Sequence, residues 1–420
     1  MGNKKNHNRR HKRINKTAIV FIISLAALAV VSTAAYFLLR TPEKEERKSG
    51  GEKKQEASAD AQEETSQKEM PQEDPLEGEV QETLAGMTLE EKVAQLFFIT
   101  PEALTGVEKA VQAGDTTREC LEKYPVGGII YFQQNITGEE QLKTMIANTK
   151  SYSKYPIFIG VDEEGGSLVA RIANSGVIDV PKVPDMAQVG AGKDTARAYE
   201  VGKTLGTYLS ELGFNVDFAP DSDVLTNPGN KAIGIRSFGS DPEMVAGMVE
   251  QEVKGLQECK VSAVLKHFPG HGDTIADSHN GKAESTRTME QLESCEFLPF
   301  QAGIEAGADF VMVGHISLNN ALGDDTPASI NEKVVQGILR DKWNYDGIVI
   351  TDSLAMGAVT EYYGPKEAAV KVLQSGGDMM LMPQDFAQAY EGVLEAVQNG
   401  TVSEERIDES VCRILRVKLR

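Results

Sequence analysis

Eight short apolar runs set the strongest constraint on what this chain can fold into. They are QLFFIT (95–100), GGIIYF (127–132), PIFIGVD (156–162), FNVDFAP (214–220), SAVLKHF (262–268), DFVMVGHI (309–316), GIVITDS (347–353) and DMMLMP (378–383). Each is short enough for a single strand and apolar at nearly every position, so it needs cover on both faces. The stretches between most of them repeat apolar residues at helical spacing, as in GEEQLKTMIANT, DPEMVAGMVEQEVKGLQE, NEKVVQGILRDKW and PKEAAVKVLQSGG. Strands that need covering, alternating with helices that can cover them, predict an α/β fold with a parallel sheet. Eight such units predict a (β/α)8 TIM barrel as a single domain. A doubly wound open sheet is the alternative. It requires a glycine-rich phosphate turn after an early strand, whereas Gly127 and Gly128 precede theirs. The domain opens where Thr88-Leu89-Glu90-Glu91 offers a capping box to the first helix.

The N-terminal part reads differently. Residues 17–39 form an uncharged apolar run, long enough at about 1.5 Å per residue to cross a hydrocarbon layer of about 30 Å. Residues 1–16 hold seven Lys/Arg and no acid, which keeps that end in the cytoplasm and sends everything after Arg40 outside. A cleaved signal peptide is the rival reading, with Ser32-Thr33-Ala34-Ala35 as small residues for cleavage. Residues 40–82 are rich in Glu, Lys, Gln and Ser and read as a flexible linker, with the domain at 83–420. The net charge is −20 despite the basic start, so the body of the chain is strongly acidic and unsuited to nucleic acid. Cys120, Cys259, Cys295 and Cys412 are too widely spaced for a zinc knuckle or a dense disulfide scaffold and read as buried free thiols, with a Cys259–Cys295 pair outside the cell as the alternative.

Five of the predicted strands finish on chemically capable residues: Asp162, Asp217, Lys266 with His267, His315 and Asp352. In a (β/α)8 barrel the carboxyl ends of all strands surround one pocket, so these side chains are expected to converge. Any one such aspartate could simply cap the following helix. The stretch KHFPGHGDTIADSH (266–279) adds a concentration of three histidines. His267 and His271 are four apart, but Pro269 and Gly270 rule out a helix that would align them on a metal. Ligands from strand ends leave a metal-dependent hydrolase open. Asp277 and His279, two apart, could form a carboxylate–imidazole dyad that gives and takes a proton near neutral pH. Alternatively, Asp277 satisfies backbone donors and His279 stands exposed.

The run KHFPGHGDT followed by DSH resembles the signature of bacterial glycoside hydrolase family 3 β-N-acetylglucosaminidases. The similarity continues through GVDEEGG (160–166), NVDFAP (215–220), RSFGSDP (236–242), VMVGHI (311–316), ITDSLAMGA (350–358) and RIDESVCRIL near the end. It implies a (β/α)8 barrel and a retaining double displacement on a carbohydrate substrate. Asp352 would be the catalytic nucleophile, His279 the acid/base and Asp277 its partner. Asp162, Arg171, Arg236, Lys266 and His267 would bind sugar hydroxyls, His271 would shape the loop, and His315 would stand behind the site. The resemblance implies no metal and no cofactor. The family pattern GGxVxR is GGSLVAR here, which puts Arg171 one residue later. With no second domain expected after the last helix, the dyad would come from the barrel's own loop. Retention through a His/Asp dyad also allows phosphate as acceptor, so a phosphorylase is an alternative. So is a β-glucosidase or β-xylosidase of the same family, although those relatives usually lack the Asp-Ser-His element. A different class of function is an anchored sugar-binding protein without turnover. The resulting expectation is an extracytoplasmic, membrane-anchored enzyme acting on N-acetylglucosamine in peptidoglycan fragments, or a secreted one if the leader is cleaved.

Overall fold

The computed structural model describes residues 74–274 and 281–420. The eight expected strands are all present, each within its predicted run: β1 (Phe97–Ile99), β2 (Gly128–Ile130), β3 (Phe158–Val161), β4 (Val216–Asp217), β5 (Ser262–Phe268), β6 (Phe310–Val313), β7 (Ile348–Thr351) and β8 (Met380–Leu381). They pair in parallel and in chain order from β1 to β7, and β8 lies against β1. The ring closes between β7 and β8 through one parallel bridge, Ile350 to Met379, giving a nearly closed parallel barrel. Helices follow the strands and cover the outside, among them Thr195–Leu212 after β3, Pro242–Glu258 after β4 and Phe386–Gln398 after β8.

Aromatic rings fill the barrel. Phe98 lies edge-on to Phe218 at 5.3 Å, and Phe158 meets Phe310 at 5.1 Å. Full burial of such a side chain stabilises the fold by roughly 1.5–3 kcal/mol. Space for Phe98 comes from glycines on the neighbouring strands. A Cβ at either Gly128 or Gly160 would stand 2.7 Å from its ring. The first barrel helix, Leu89–Gln95, begins with the expected reciprocal cap between Thr88 and Glu91.

The expected linker boundary requires correction. Asp74 caps a helix at Pro75–Ala85 that begins inside residues 40–82 and runs past their end. The acidic composition conceals Leu76, Val80 and Leu84 at helical spacing. Val80 and Leu84 are buried, and the helix packs on the C-terminal helix Glu404–Leu419, with Glu77 paired to Arg416 at 2.8 Å. The predicted membrane span at 17–39 lies outside the described residues, and among the described residues no helix is long and apolar enough to cross a membrane. All four cysteines are free, so Cys259 and Cys295 do not pair.

Candidate active site

The carboxyl ends of the strands enclose a cavity of about 190 Å3 lined by Asp162, Glu164, Arg171, Arg236, Lys266, His267 and Asp352, with apolar walls from Ile130, Phe132, Met312 and Met382. Asp162 directly follows β3, Lys266 and His267 lie in the last half of β5, and Asp352 directly follows β7. A break in the β5–β6 register between Leu265 and Phe268 accompanies the Lys266–His267 pair, whose peptide bond is cis. Met382, just beyond β8, holds a left-handed φ of 43°, a conformation that costs a side-chain-bearing residue about 1–2 kcal/mol. Such strain collects where a pocket wall is fixed by its surroundings.

Glu164 organises the cations. Its carboxylate receives Arg236 through both oxygens, at 2.7 and 2.8 Å, and Lys266 Nζ at 2.6 Å, while Lys266 also reaches Asp162 at 2.9 Å. Burial alone would push Glu164 up, but Arg236 and Lys266 outweigh it and hold the carboxyl well below its usual range. Lys266 is likewise desolvated, yet Asp162 and Glu164 keep its amine charged. His267 Nδ1 lies 2.7 Å from Asp223, and its Nε2 is 3.4 Å from Arg236 Nη2. Burial disfavours the imidazolium, but the Asp223 carboxylate overrides this and raises the imidazole above its ordinary value. Asp352 receives the Ser353 amide on Oδ1 at 2.7 Å, and its own amide donates to Val313. His315 bridges Ser329 and the Ser353 carbonyl at 2.7 and 2.8 Å, which fixes the segment that carries Asp352.

The structure therefore brings Asp162, Arg171, Arg236, Lys266, His267 and Asp352 into one cavity. The extra residue before Arg171 is taken up by a register irregularity in the hairpin of Glu163–Gly165 with Val169–Ala170. Arg171 lies over the Phe132 ring at 5.8 Å, and its buried Nε has no hydrogen-bond partner among the described residues. Asp217 departs from expectation. It pairs in register with Val161 and Ala263, one step below Asp162, and its Oδ1 accepts the Glu163 amide at 2.9 Å. It is buried beneath the pocket, and burial raises its carboxyl well above the ordinary range. Asp277 and His279 lie outside the described residues.

Three functional side chains escaped the sequence reading: Glu164, Asp221 and Asp223. Their signal was faint, two carboxylates in DSD just after β4 and one two residues beyond Asp162. Asp223 does more than hold His267, because its Oδ1 accepts the His271 amide at 2.5 Å and so anchors the loop after β5. Gly272 lets that loop approach the one after β4. A Cβ there would fall 1.9 Å from the Val224 carbonyl oxygen. Asp221, Asp223 and His267 offer atoms within 4.8 Å of one another, close enough for a cation. The chain's own groups already occupy that role: Arg236 stands 3.6 Å from Asp221, and Nδ1 of His267 is engaged by Asp223. Burial and the neighbouring Asp223 raise the Asp221 carboxyl to about 7.

Three carboxylates and three cations facing one small cavity favour an uncharged ligand rich in hydrogen-bonding groups. Residues 88–417 match the glycosyl hydrolase family 3 N-terminal domain. The chain belongs to glycosyl hydrolase family 3. Among curated members, a beta-hexosaminidase from Tolumonas auensis is 32% identical over 289 residues, covering 68% of this chain and 84% of that protein. Beta-hexosaminidase A of Pseudoalteromonas piscicida is 29% identical over 327 residues, and the match spans 72% of this chain but 54% of that longer protein. A solved family 3 β-N-acetylglucosaminidase from Paenibacillus sp. str. FPU-7 superimposes with a TM-score of 0.74 at 37% identity, covering 79% of this chain and 62% of its own.

Proposed function

We propose that this family 3 chain is a retaining exo-β-N-acetylglucosaminidase that removes terminal, non-reducing β-linked N-acetylglucosamine, with peptidoglycan fragments as its source. The observation that carries the reading is Asp352, placed after β7 in the same cavity as the Lys266–Asp162 and Arg236–Glu164 pairs. The relatives named beta-hexosaminidase and β-N-acetylglucosaminidase support the choice of sugar. The cavity has room for one pyranose, which suits removal of a single terminal unit. On this reading Asp352 attacks the anomeric carbon and forms a glycosyl-enzyme, while Lys266, Arg236, Arg171 and Asp162 hold the ring hydroxyls. The Ser353 amide donates to one oxygen of Asp352 and so fixes the orientation of the attacking carboxylate. His279, oriented by Asp277, protonates the leaving oxygen and then deprotonates the incoming water. Most retaining glycosidases divide these roles between two carboxyl groups. An imidazole in the second place does not repel an anionic acceptor. Residues 17–39 would anchor the enzyme, with its catalytic domain outside the cytoplasm.

Aryl β-N-acetylglucosaminides test the assignment. Asp352→Ala should abolish turnover, and near wild-type rates would overturn it. His279→Ala should lose far more activity on poor leaving groups than on activated aryl ones, because a good leaving group needs little protonation. Equal losses on both would remove His279 from the acid/base role. Running the same assays with and without phosphate distinguishes hydrolysis from phosphorolysis.

A further inference from the structure

One charged group that the mechanism leaves unused lies at the other end of the barrel. A cavity of about 390 Å3 opens where the strands begin, lined by Phe158 of β3, Asn215 before β4, Ser262 of β5, Asp309 before β6 and Lys418 of the C-terminal helix. The length of the strands separates it from Asp352. Lys418 Nζ donates to Gln95 Oε1 at 2.7 Å and stands 4.9 Å from the centre of the Phe158 ring. Gln95 is fully buried, and its amide nitrogen donates to the Pro125 carbonyl at 2.6 Å, which turns its oxygen toward Lys418. A lysine ammonium has three donors, so two remain. Among the described residues no carboxylate pairs with this amine. Asp309, the acid in the same wall, already accepts Arg420 on both oxygens at 2.7 Å and the Ser262 hydroxyl at 2.7 Å. Burial, with nothing to oppose it, pushes the Lys418 amine well below the usual lysine range. An arriving anion gives such an amine both a charge-assisted hydrogen bond and a reason to be protonated.

The other walls narrow the choice of anion. Asn215 and Gln257 direct their amide nitrogens to the Ile157 and Gly307 carbonyls, at 3.2 and 2.7 Å, so they are committed within the protein. Pro156, Ile157, Val261 and Val417 add apolar surface. Lys260, also in the wall, is exposed and forms no ion pair among the described residues. A phosphate dianion needs several donors around its oxygens, whereas one buried amine beside apolar walls suits a single carboxylate on an apolar body. We propose that this cavity binds a small apolar carboxylate, with its oxygens on Lys418 Nζ, its chain along Ile157, Val261 and Val417, and Lys260 adding positive charge at the rim. This site is independent of the glycosidase reading above.

Titration calorimetry with hexanoate, 1-hexanol and inorganic phosphate tests the site, at pH ~6.5, where a carboxylate is ionised and protonation of the amine is favoured. Wild type should bind hexanoate about tenfold more tightly than either hexanol or phosphate. Lys418→Met keeps the length of the side chain without the amine. It should weaken hexanoate about tenfold, the equivalent of about 1.4 kcal/mol, and leave hexanol as in wild type. It should also resist urea at least as well as wild type, because an uncompensated buried amine is gone. A second measurement needs no variant: hexanoate should slow reductive methylation of Lys418 in wild type, read by peptide mass spectrometry, and leave the exposed Lys333 unaffected. Equal affinity for hexanoate and hexanol, tighter binding of phosphate than of hexanoate, or unchanged hexanoate affinity in Lys418→Met would overturn the site. So would methylation of Lys418 at the same rate with and without hexanoate.

Discussion

Glu252 shows at the residue scale how unevenly acids are treated around this pocket. Glu164, equally buried, is ionised because two cations meet it. Glu252, on the helix Pro242–Glu258, is 1% exposed, and neither of its carboxyl oxygens has a hydrogen-bond partner among the described residues. Burial first, then repulsion from Glu164 and Asp221, raises it well above the ordinary range, so it is buried as the neutral acid. An unfolded chain ionises glutamate near pH ~4.3, so above that pH the native state holds the extra proton. The associated stability is complete below that pH and is lost as pH rises toward the folded value. Glu252→Gln removes the titration. Its stability relative to wild type should therefore be greater at pH 8 than at pH 5 by more than about 1 kcal/mol, measured by urea unfolding. The same difference at both pH values would show that Glu252 is ionised in the fold.

At the scale of elements, the helix Pro75–Ala85 shows which force attaches a segment that composition alone assigns to a linker. Its ion pair, Glu77 with Arg416, is 41% and 37% exposed and can contribute only about 0–1 kcal/mol. Val80 is fully buried against the rest of the domain. Val80→Ala should cost about 1–3 kcal/mol in chemical denaturation, and Glu77→Ala less than about 1 kcal/mol. The reverse order would mean that charge, not packing, holds the helix in place.

At the scale of the whole molecule, the decisive event is closure of the ring between β7 and β8, and one buried carboxylate is central to it. Asp378 accepts the Val349 amide at 2.9 Å, Ser410 at 2.7 Å and Arg413 at 3.1 Å, and also pairs with Arg340. It thereby joins β7, the start of β8 and the C-terminal helix. Removing one partner from such a network leaves buried charge uncompensated, so Asp378→Ala should destabilise the domain by about 3–5 kcal/mol. A loss below about 1 kcal/mol in urea unfolding would show that closure depends on apolar packing alone. The positions of the eight strands, the capping box at Thr88 and the residues at the strand ends could be read directly from the chain, because periodicity, capping and strand polarity act over a few residues. Asp217 and Glu164 could not be ranked that way. Whether a strand-end carboxylate faces the pocket depends on the stagger of its strand against its neighbours, and β4 sits one step low. The same holds for Asp223, whose partners His267 and His271 arrive from a different βα unit. Sequence by itself thus determined the eight strands and most of the chemistry at their ends, because those signals are local, whereas the register of the closed barrel decided which of those groups share a cavity and which are buried as neutral acids.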